Sequence, residues 1–274
     1  MFYKFVEFVN KIKTMYRRIN HPEIKRNYLV IDIGSGNLPN PRADVTCDFI
    51  DEDLERSDDL KIDRPFVWAN IEKLPFRDRI FDYSITSHVL EHVDNPKEAL
   101  EEIQRISKGG YIETPNAFYE FAIPHVYHLS RCTVIDGKLI ITMKDKWDET
   151  IDKKYPDILH DMNKAWWDLH KLNAISLLTI YRWKNKINYE IRGGKAFTKE
   201  KELMEEVKTD RSWIRILIIK LVYFLKRRKK IDITKILICP RCKGFLNFSD
   251  DFSVCDNCFS KYKKHKGFFD FRII

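Results

Sequence analysis

Solid apolar runs and helix-spaced apolar positions take turns along the first half of the chain. Residues 28–31 and 66–69 are short apolar stretches bounded by Asp, Asn, Gly or Pro, the pattern of strands buried on both faces, and Phe81 to Ile85 reads as a further strand. After Asn95-Pro96, which starts a helix with proline in its first turn, Leu100, Ile103 and Ile106 recur at helical spacing. Gly109-Gly110 is expected to end that helix, and Tyr111-Ile112 to lie in a further strand. Strand and helix in alternation predict an α/β fold around a parallel sheet. The first crossover departs from the usual form. Residues 36–43 include Pro39 and Pro41 and are too few for a helix, so a loop is expected there.

The remaining pattern predicts outlying elements. Phe2, Phe5, Val6, Val9, Ile12 and Tyr16 share one face of an amphipathic helix within residues 1–20, either packed across the sheet or lying on a membrane surface. Residues 133–143 alternate around Asp136-Gly137, a strong hairpin signal. Within 144–200 a helix is expected over about 157–179, carrying Trp166 and Trp167, with a strand in 182–191. WIRILIIKLVYFL at 213–225, followed by KRRKK, is too short and too charged to span a bilayer. It reads as an interfacial helix whose basic end meets anionic headgroups, or as a buried helix joining two domains.

Composition narrows the function classes. With 44% hydrophobic and 13% aromatic residues in 274, the chain can build a full α/β domain and a small annex, which excludes wholesale disorder. The net charge of +8 invites a nucleic-acid reading. The excess is concentrated in 11–26 and 220–235, however, around an acidic middle, and suits an anionic membrane surface equally. The N-terminal residues do not read as a signal peptide. Of six cysteines, four form two C-x-x-C pairs, which points to metal ligands in a reducing, cytoplasmic setting, with peripheral membrane contact through 213–230.

Two constellations carry chemistry. In the first, strand 28–31 runs into Asp32 and then Gly34-Ser35-Gly36, and a second run, 43–47, ends in Asp48. Glycine lets the chain turn sharply and lets a ligand lie against the main chain, and an acid closing the next strand is placed for ribose hydroxyls. In the second, Cys239, Cys242, Cys255 and Cys258 form two knuckles twelve residues apart, the spacing of a structural four-thiolate zinc site. A unit this small has little room for a core and would depend on the ion to fold. Cys47 and Cys132 read as packing residues and His265 as a spare ligand candidate.

Four ordered motifs, D-I-G-S-G, Asp48, N-I-E-K-L-P-F and F-D-Y-S-I-T-S-H-V-L-E-H-V, make residues 27–145 resemble class I S-adenosylmethionine-dependent methyltransferases of the type 11 kind. The resemblance implies a Rossmann-like seven-stranded sheet with helices on both faces, closed by an antiparallel strand at about 133–143. It implies S-adenosyl-L-methionine as cofactor. Asp32 would anchor its amino group, Gly34, Ser35 and Gly36 would admit the methionine portion, and Asp48 would take the ribose hydroxyls. Asn70 and the Ile71 backbone would read the adenine, and Ser87 and His88 would line the pocket. Asn70 stands where the family usually has Asp. For acceptor-side proton transfer, His128 is the first candidate and His88 the second, with Glu91, His92, Glu113 and His125 nearby in sequence. The C-terminal C-P-R-C-K-G-F-L and V-C-D-N-C are similar to the small zinc-ribbon activator of RNA and protein methyltransferases, which implies a non-catalytic cover fused to its enzyme. The organisation expected is a helix at 1–20, a methyltransferase domain at 21–210 with a cap at 144–200, a basic apolar helix and linker at 211–235, and a zinc ribbon at 236–274.

The expected acceptor is a cell-surface glycan, a lipid-linked saccharide or a related small molecule. RNA is the alternative, favoured by the basic pI near 9.0 and by the activator-like ribbon, whose Lys261, Lys263, Lys264 and Lys266 form a basic cluster suited to gripping DNA or RNA; the lack of an N-P-P-Y motif after the fourth strand counts against base N-methylation. A cofactor-binding scaffold without activity is the third reading.

Overall fold

The computed structural model describes residues 21, 23–49, 62–122, 128–144, 174–194, 231–265 and 267–272, with isolated positions between 5 and 16 and at 217 and 221. The expectations for His125 and Lys266, for a helix over 157–173 and for most of 213–230 fall outside these residues.

The centre is a parallel sheet. Strands β1 (Val30–Ile33), β2 (Val45–Asp48), β3 (Phe66–Trp68), β4 (Tyr83–Ser87) and β5 (Gly109–Pro115) lie in the order β3-β2-β1-β4-β5. That is the doubly wound order, with the chain reversing direction between β1 and β4. Strands buried on both faces need apolar side chains throughout, and Ile31, Val45, Cys47 and Val67 are fully enclosed. Helix α1 (Pro96–Ile106) follows β4; its Asn95 cap accepts from Glu98 N, and Leu100, Ile103 and Ile106 are fully buried. Each such burial stabilises by about 1.5–3 kcal/mol. A short second helix, α2 (Ala117–Ala122), follows β5.

The closing strand is not the one the alternation suggested. Residues 130–143 form β6 (Ser130–Ile135) and β7 (Lys138–Met143), an antiparallel hairpin turned at Asp136-Gly137, where φ is 49° and 72°. With β9 (Tyr189–Arg192), parallel to β7, the hairpin makes a separate three-stranded sheet. The main sheet is closed by β8 (Leu178–Lys184), antiparallel to β5 along its whole length. Residues 174–177 are a 3-10 turn and 178–179 strand, so the helix expected to reach 179 does not.

Gly109 and Gly110 belong to this pairing: they begin β5, and α1 ends earlier, at Ile106, with Ser107 as its cap. A Cβ on Gly110 would stand 2.7 Å from the Ser84 carbonyl oxygen and 2.7 Å from Trp183 Nε1. The glycine is required by close backbone approach and does not cap the helix.

Beyond β3 the sheet continues into the C-terminal segment. Strands β10 (Leu246–Phe248), β11 (Phe252–Cys255), β12 (Lys261–His265) and β13 (Phe268–Asp270) form an antiparallel meander. Its last strand pairs in parallel with β3, Phe268 opposite Phe66 and Asp270 opposite Trp68. The main sheet thus holds ten strands where seven were expected. Aromatic edges seal the junction: Phe268 meets Phe66 at 5.5 Å and Trp68 at 5.6 Å, and the Arg272 guanidinium lies 3.7 Å from the Trp68 ring centroid. A second seam joins Ile238 N to Pro75 O at 2.9 Å and Arg77 N to Ile236 O at 3.0 Å.

At the N-terminus, the described positions Phe5, Val6, Phe8, Val9, Ile12, Lys13 and Tyr16 are helical, and Phe5, Phe8, Ile12 and Tyr16 are exposed. Among the described residues no helix is long and apolar enough to cross a membrane.

Candidate functional site

Open parallel sheets bind ligands beyond the carboxyl ends of the strands, where the strand order reverses. Here that point lies between β1 and β4, and most of the candidate residues collect around it. Asp32 sits next to the end of β1 and Asp48 ends β2; both are buried. The loop between the strands is tied to β2 by Gly34 N and Ser35 N, which donate to Cys47 O at 2.8 and 3.2 Å. Gly34 has φ +74°, and a Cβ there would lie 2.1 Å from Val89 Cγ2, so the turn admits no side chain.

The expected loop crossover is present, and its amides turn inward. Gly36 N donates to Asp48 Oδ2 at 2.5 Å, Phe49 N to Asp48 Oδ1 at 2.8 Å, and Asn40 N to Asp32 Oδ2 at 2.6 Å. A carboxylate offers about four acceptor sites, so these contacts orient both acids and are compatible with an ammonium at Asp32 and hydroxyls at Asp48. Asn70 follows β3, and its Oδ1 accepts from Glu72 N at 2.9 Å, capping the 3-10 turn Ile71–Lys73. The side chain expected to read adenine is therefore also a cap, and Ile71 is buried beneath it.

Across the reversal point, Ser87 ends β4 and His88 adopts φ +56°, with its backbone N–H on Glu113 O at 2.8 Å. The half-exposed His88 ring lies between two buried acids, Nδ1 3.3 Å from Glu91 Oε1 and Nε2 3.4 Å from Glu113 Oε1. The Tyr111 hydroxyl donates to the other oxygen of Glu113. His21 packs edge-on to Tyr111 at 4.8 Å and lies 3.3 Å from Asn40 Nδ2. A cavity of about 30 Å³ is lined by Asp32, Ser35, Asn40, Ser87, Tyr111 and Glu113 among others. That volume seats one small polar group, the end of a ligand and not a whole nucleoside.

His128 is not among the lining residues. Its Nδ1 lies 2.5 Å from Glu120 Oε2, and Lys144 Nζ donates to the other Glu120 oxygen. Its ring meets His92 edge-on at 4.7 Å. Burial would raise the Glu120 carboxyl, but the His128 and Lys144 contacts outweigh it and hold the group below its ordinary value. Glu91 is likewise held low against its burial, by His88 and by the charges of His92, His88 and His128. His21, Asn40, Tyr111 and Glu120 were not singled out from sequence. Glu120 carried a faint signal, an acid in an otherwise apolar AFYEFA helix.

The four knuckle cysteines converge. Cys239 Sγ lies 3.6 Å from Cys258 Sγ, and Cys242 Sγ 3.4 Å from Cys255 Sγ. Sulfurs about 3.8 Å apart surround a tetrahedral ion at 2.3 Å, so the set fits a metal. A Cβ on Gly244 would lie 3.1 Å from Cys255 Sγ and 3.3 Å from Cys242 Sγ, so the knuckle needs its glycine. His265 lies apart from the cluster, stacked on Phe268 and 3.6 Å from Asp270. Cys47 and Cys132 are buried packing residues, as expected.

Residues 31–112 match the family model described as a methyltransferase domain. An uncharacterised protein of Methanocaldococcus jannaschii is 39% identical over 88 residues, covering 31% of this chain and 39% of that one. A demethylmenaquinone methyltransferase of Paenarthrobacter aurescens is 33% identical over 118 residues, covering 38% and 47%. The chain thus spans less than half the length of these curated relatives. Among solved structures, a Bacillus halodurans protein described as a methyltransferase aligns at 17% identity and TM-score 0.31, covering 40% of this chain and 58% of that one.

Proposed function

We propose that this chain, whose core is a class I methyltransferase domain, transfers a methyl group from S-adenosylmethionine to an oxygen or carbon acceptor. The reading rests on one observation above the others. Asp32 and Asp48 lie at the carboxyl ends of adjacent parallel strands on either side of a glycine turn that admits no side chain, inside the segment that matches the methyltransferase model. When bound, the cofactor supplies an electrophilic methyl carried on a sulfonium. Asp32 would hold its ammonium, Asp48 its ribose hydroxyls, and the Asn70-Ile71 turn its base. What the protein adds is alignment, since donor and acceptor must meet in line at about 3–3.5 Å. His88, half-exposed and placed between Glu91 and the cavity-lining Glu113, is the first candidate to take a proton from the acceptor.

The four cysteines would hold a structural zinc, closed to substrate because all four positions are protein thiolates. For the acceptor, a glycan, lipid-linked saccharide or other small molecule is favoured over RNA. Two lysines of the basic cluster are engaged on the meander itself, Lys261 over the Phe252 ring at 3.7 Å and Lys264 over Phe269 at 5.6 Å.

Isothermal titration with S-adenosylmethionine and S-adenosylhomocysteine tests the reading. Micromolar binding that is lost in Asp48→Ala supports it, and tritiated methyl transfer into glycan, lipid and RNA fractions then separates the acceptors. No binding by folded, zinc-loaded protein would sink it.

A further inference from the structure

A second cluster of ligand-type side chains lies just past the end of β4, away from the cysteines. We propose that Glu91, His92 and His128 form a site for a divalent first-row transition ion, held by two imidazoles and one carboxylate.

The three residues each offer a ligand atom, and these atoms lie within 4.8 Å of one another. Glu91 is the decisive member. Its side chain is 2% exposed, and neither carboxylate oxygen has a hydrogen-bond partner among the described residues, although His88 Nδ1 approaches to 3.3 Å. His88 faces only one of the two oxygens, and a buried carboxylate with neither oxygen hydrogen-bonded keeps its acceptor capacity free for a metal ion. His128 is held as metal-binding histidines are held. Glu120, itself buried, takes Nδ1 at 2.5 Å, which fixes the ring and makes Nε2 the nitrogen offered to the cluster. Lys144 on the second Glu120 oxygen keeps that acid in its orienting place. The main chain locks the partners together: Leu129 N donates to Glu91 O at 2.6 Å and Lys144 N to Leu129 O at 2.9 Å.

His92 is exposed and gives the ion a way in from solvent. Ligand atoms around an ion at about 2.1 Å stand roughly 3–3.4 Å apart, so the side chains must draw together on binding. Two imidazoles with one carboxylate suit Zn²⁺, Co²⁺, Fe²⁺ or Ni²⁺ over Mg²⁺ or Ca²⁺, and three protein ligands leave positions open for water or an oxygen ligand. The site does not depend on the methyl-transfer reading.

The test uses the full chain without a purification tag, its cysteine cluster filled with one equivalent of zinc. The protein is equilibrated with Co²⁺, desalted and analysed for both metals. One zinc and one cobalt per chain are expected, with weak visible absorption and no thiolate-to-cobalt charge transfer. His92 is exposed and its ring packs edge-on to the proposed partner His128, so His92→Ala should fold normally by circular dichroism and retain zinc alone. The near-isosteric Glu91→Gln should do the same, and Glu120→Gln should weaken cobalt binding by about 10–100-fold. Wild-type protein that keeps no cobalt, cobalt that merely replaces zinc at the thiolates, or bound cobalt indifferent to both His92→Ala and Glu91→Gln would each overturn the proposal.

Discussion

Lys243 Nζ lies 2.9 Å from Glu102 Oε2, and this contact joins the cysteine knuckle to helix α1. Glu102 is nearly buried and also takes Arg105 Nε at 2.6 Å and Leu74 N at 2.7 Å. Arg105 in turn donates to Phe76 O at 2.6 Å and Leu74 O at 2.8 Å. The carboxylate is the hub, and the lysine is one spoke, part-exposed.

The two ends of this contact should therefore differ in weight. Lys243→Ala is expected to cost about 0.5–1 kcal/mol, because an exposed ammonium gains little from pairing. Glu102→Ala should cost about 2–4 kcal/mol, since it takes a buried carboxylate partner from Arg105 and leaves the Leu74 amide unpaired. Urea unfolding midpoints at constant slope would measure both.

The same hub sets an acid limit. Burial would raise the Glu102 carboxyl, but hydrogen bonds from Arg105 and Lys243 outweigh it and leave its pKa below the ordinary 4.5. A group depressed on folding stabilises fully above its unfolded value, and the contribution is lost as pH falls through the folded one. Stability should thus drop below about pH 4.5, and Glu102→Gln should flatten that part of the pH profile relative to pH 7.

Two glycines make a contrast that isolates backbone crowding. Gly110→Ala drives a methyl into the Ser84 carbonyl and the Trp183 indole, and several kcal/mol of destabilisation are expected. Gly137→Ala meets nothing within 4 Å and bears only the penalty of φ +72°, about 1–2 kcal/mol. Thermal melts should rank the pair in that order.

Metal removal should be felt in the parallel sheet. If the cysteines hold an ion, a strong chelator is expected to loosen β10–β13 and, through the pairing of β13 with β3, to lower amide protection at Val67 and Trp68. Hydrogen exchange with and without chelator measures this. Unchanged protection in both strands would mean that the meander folds without metal.

Sequence made the parallel sheet and the knuckles legible because each leaves a local mark. Apolar runs ending at Asp32 and Asp48, and C-x-x-C pairs at fixed spacing, carry their geometry within a few residues. Partner choice leaves no such mark. Residues 133–143 alternate correctly for a strand, yet period two is silent on which strand lies alongside, so β8 and not β7 closes the sheet. The Gly109-Gly110 pair has the same ambiguity, since glycine serves a helix end as readily as a crowded strand. The Glu120–His128 pairing and the His21–Asn40 contact join residues whose meeting depends on the packed fold, and single positions could not announce them.

Pairing β13 with β3 links Phe268 to Phe66, about 200 residues apart along the chain. During synthesis β3 is made long before its outer neighbour leaves the ribosome. In that interval Phe66, Val67 and Trp68 present an open, aromatic strand edge, the kind that recruits strands from other molecules. Such a distant contact also closes late, because its loop entropy must be overcome first. The vulnerable moment for this protein is therefore its birth: nascent chains stalled or cut before β13 should aggregate, and chaperones that shield strand edges should matter more to its yield than to its finished stability.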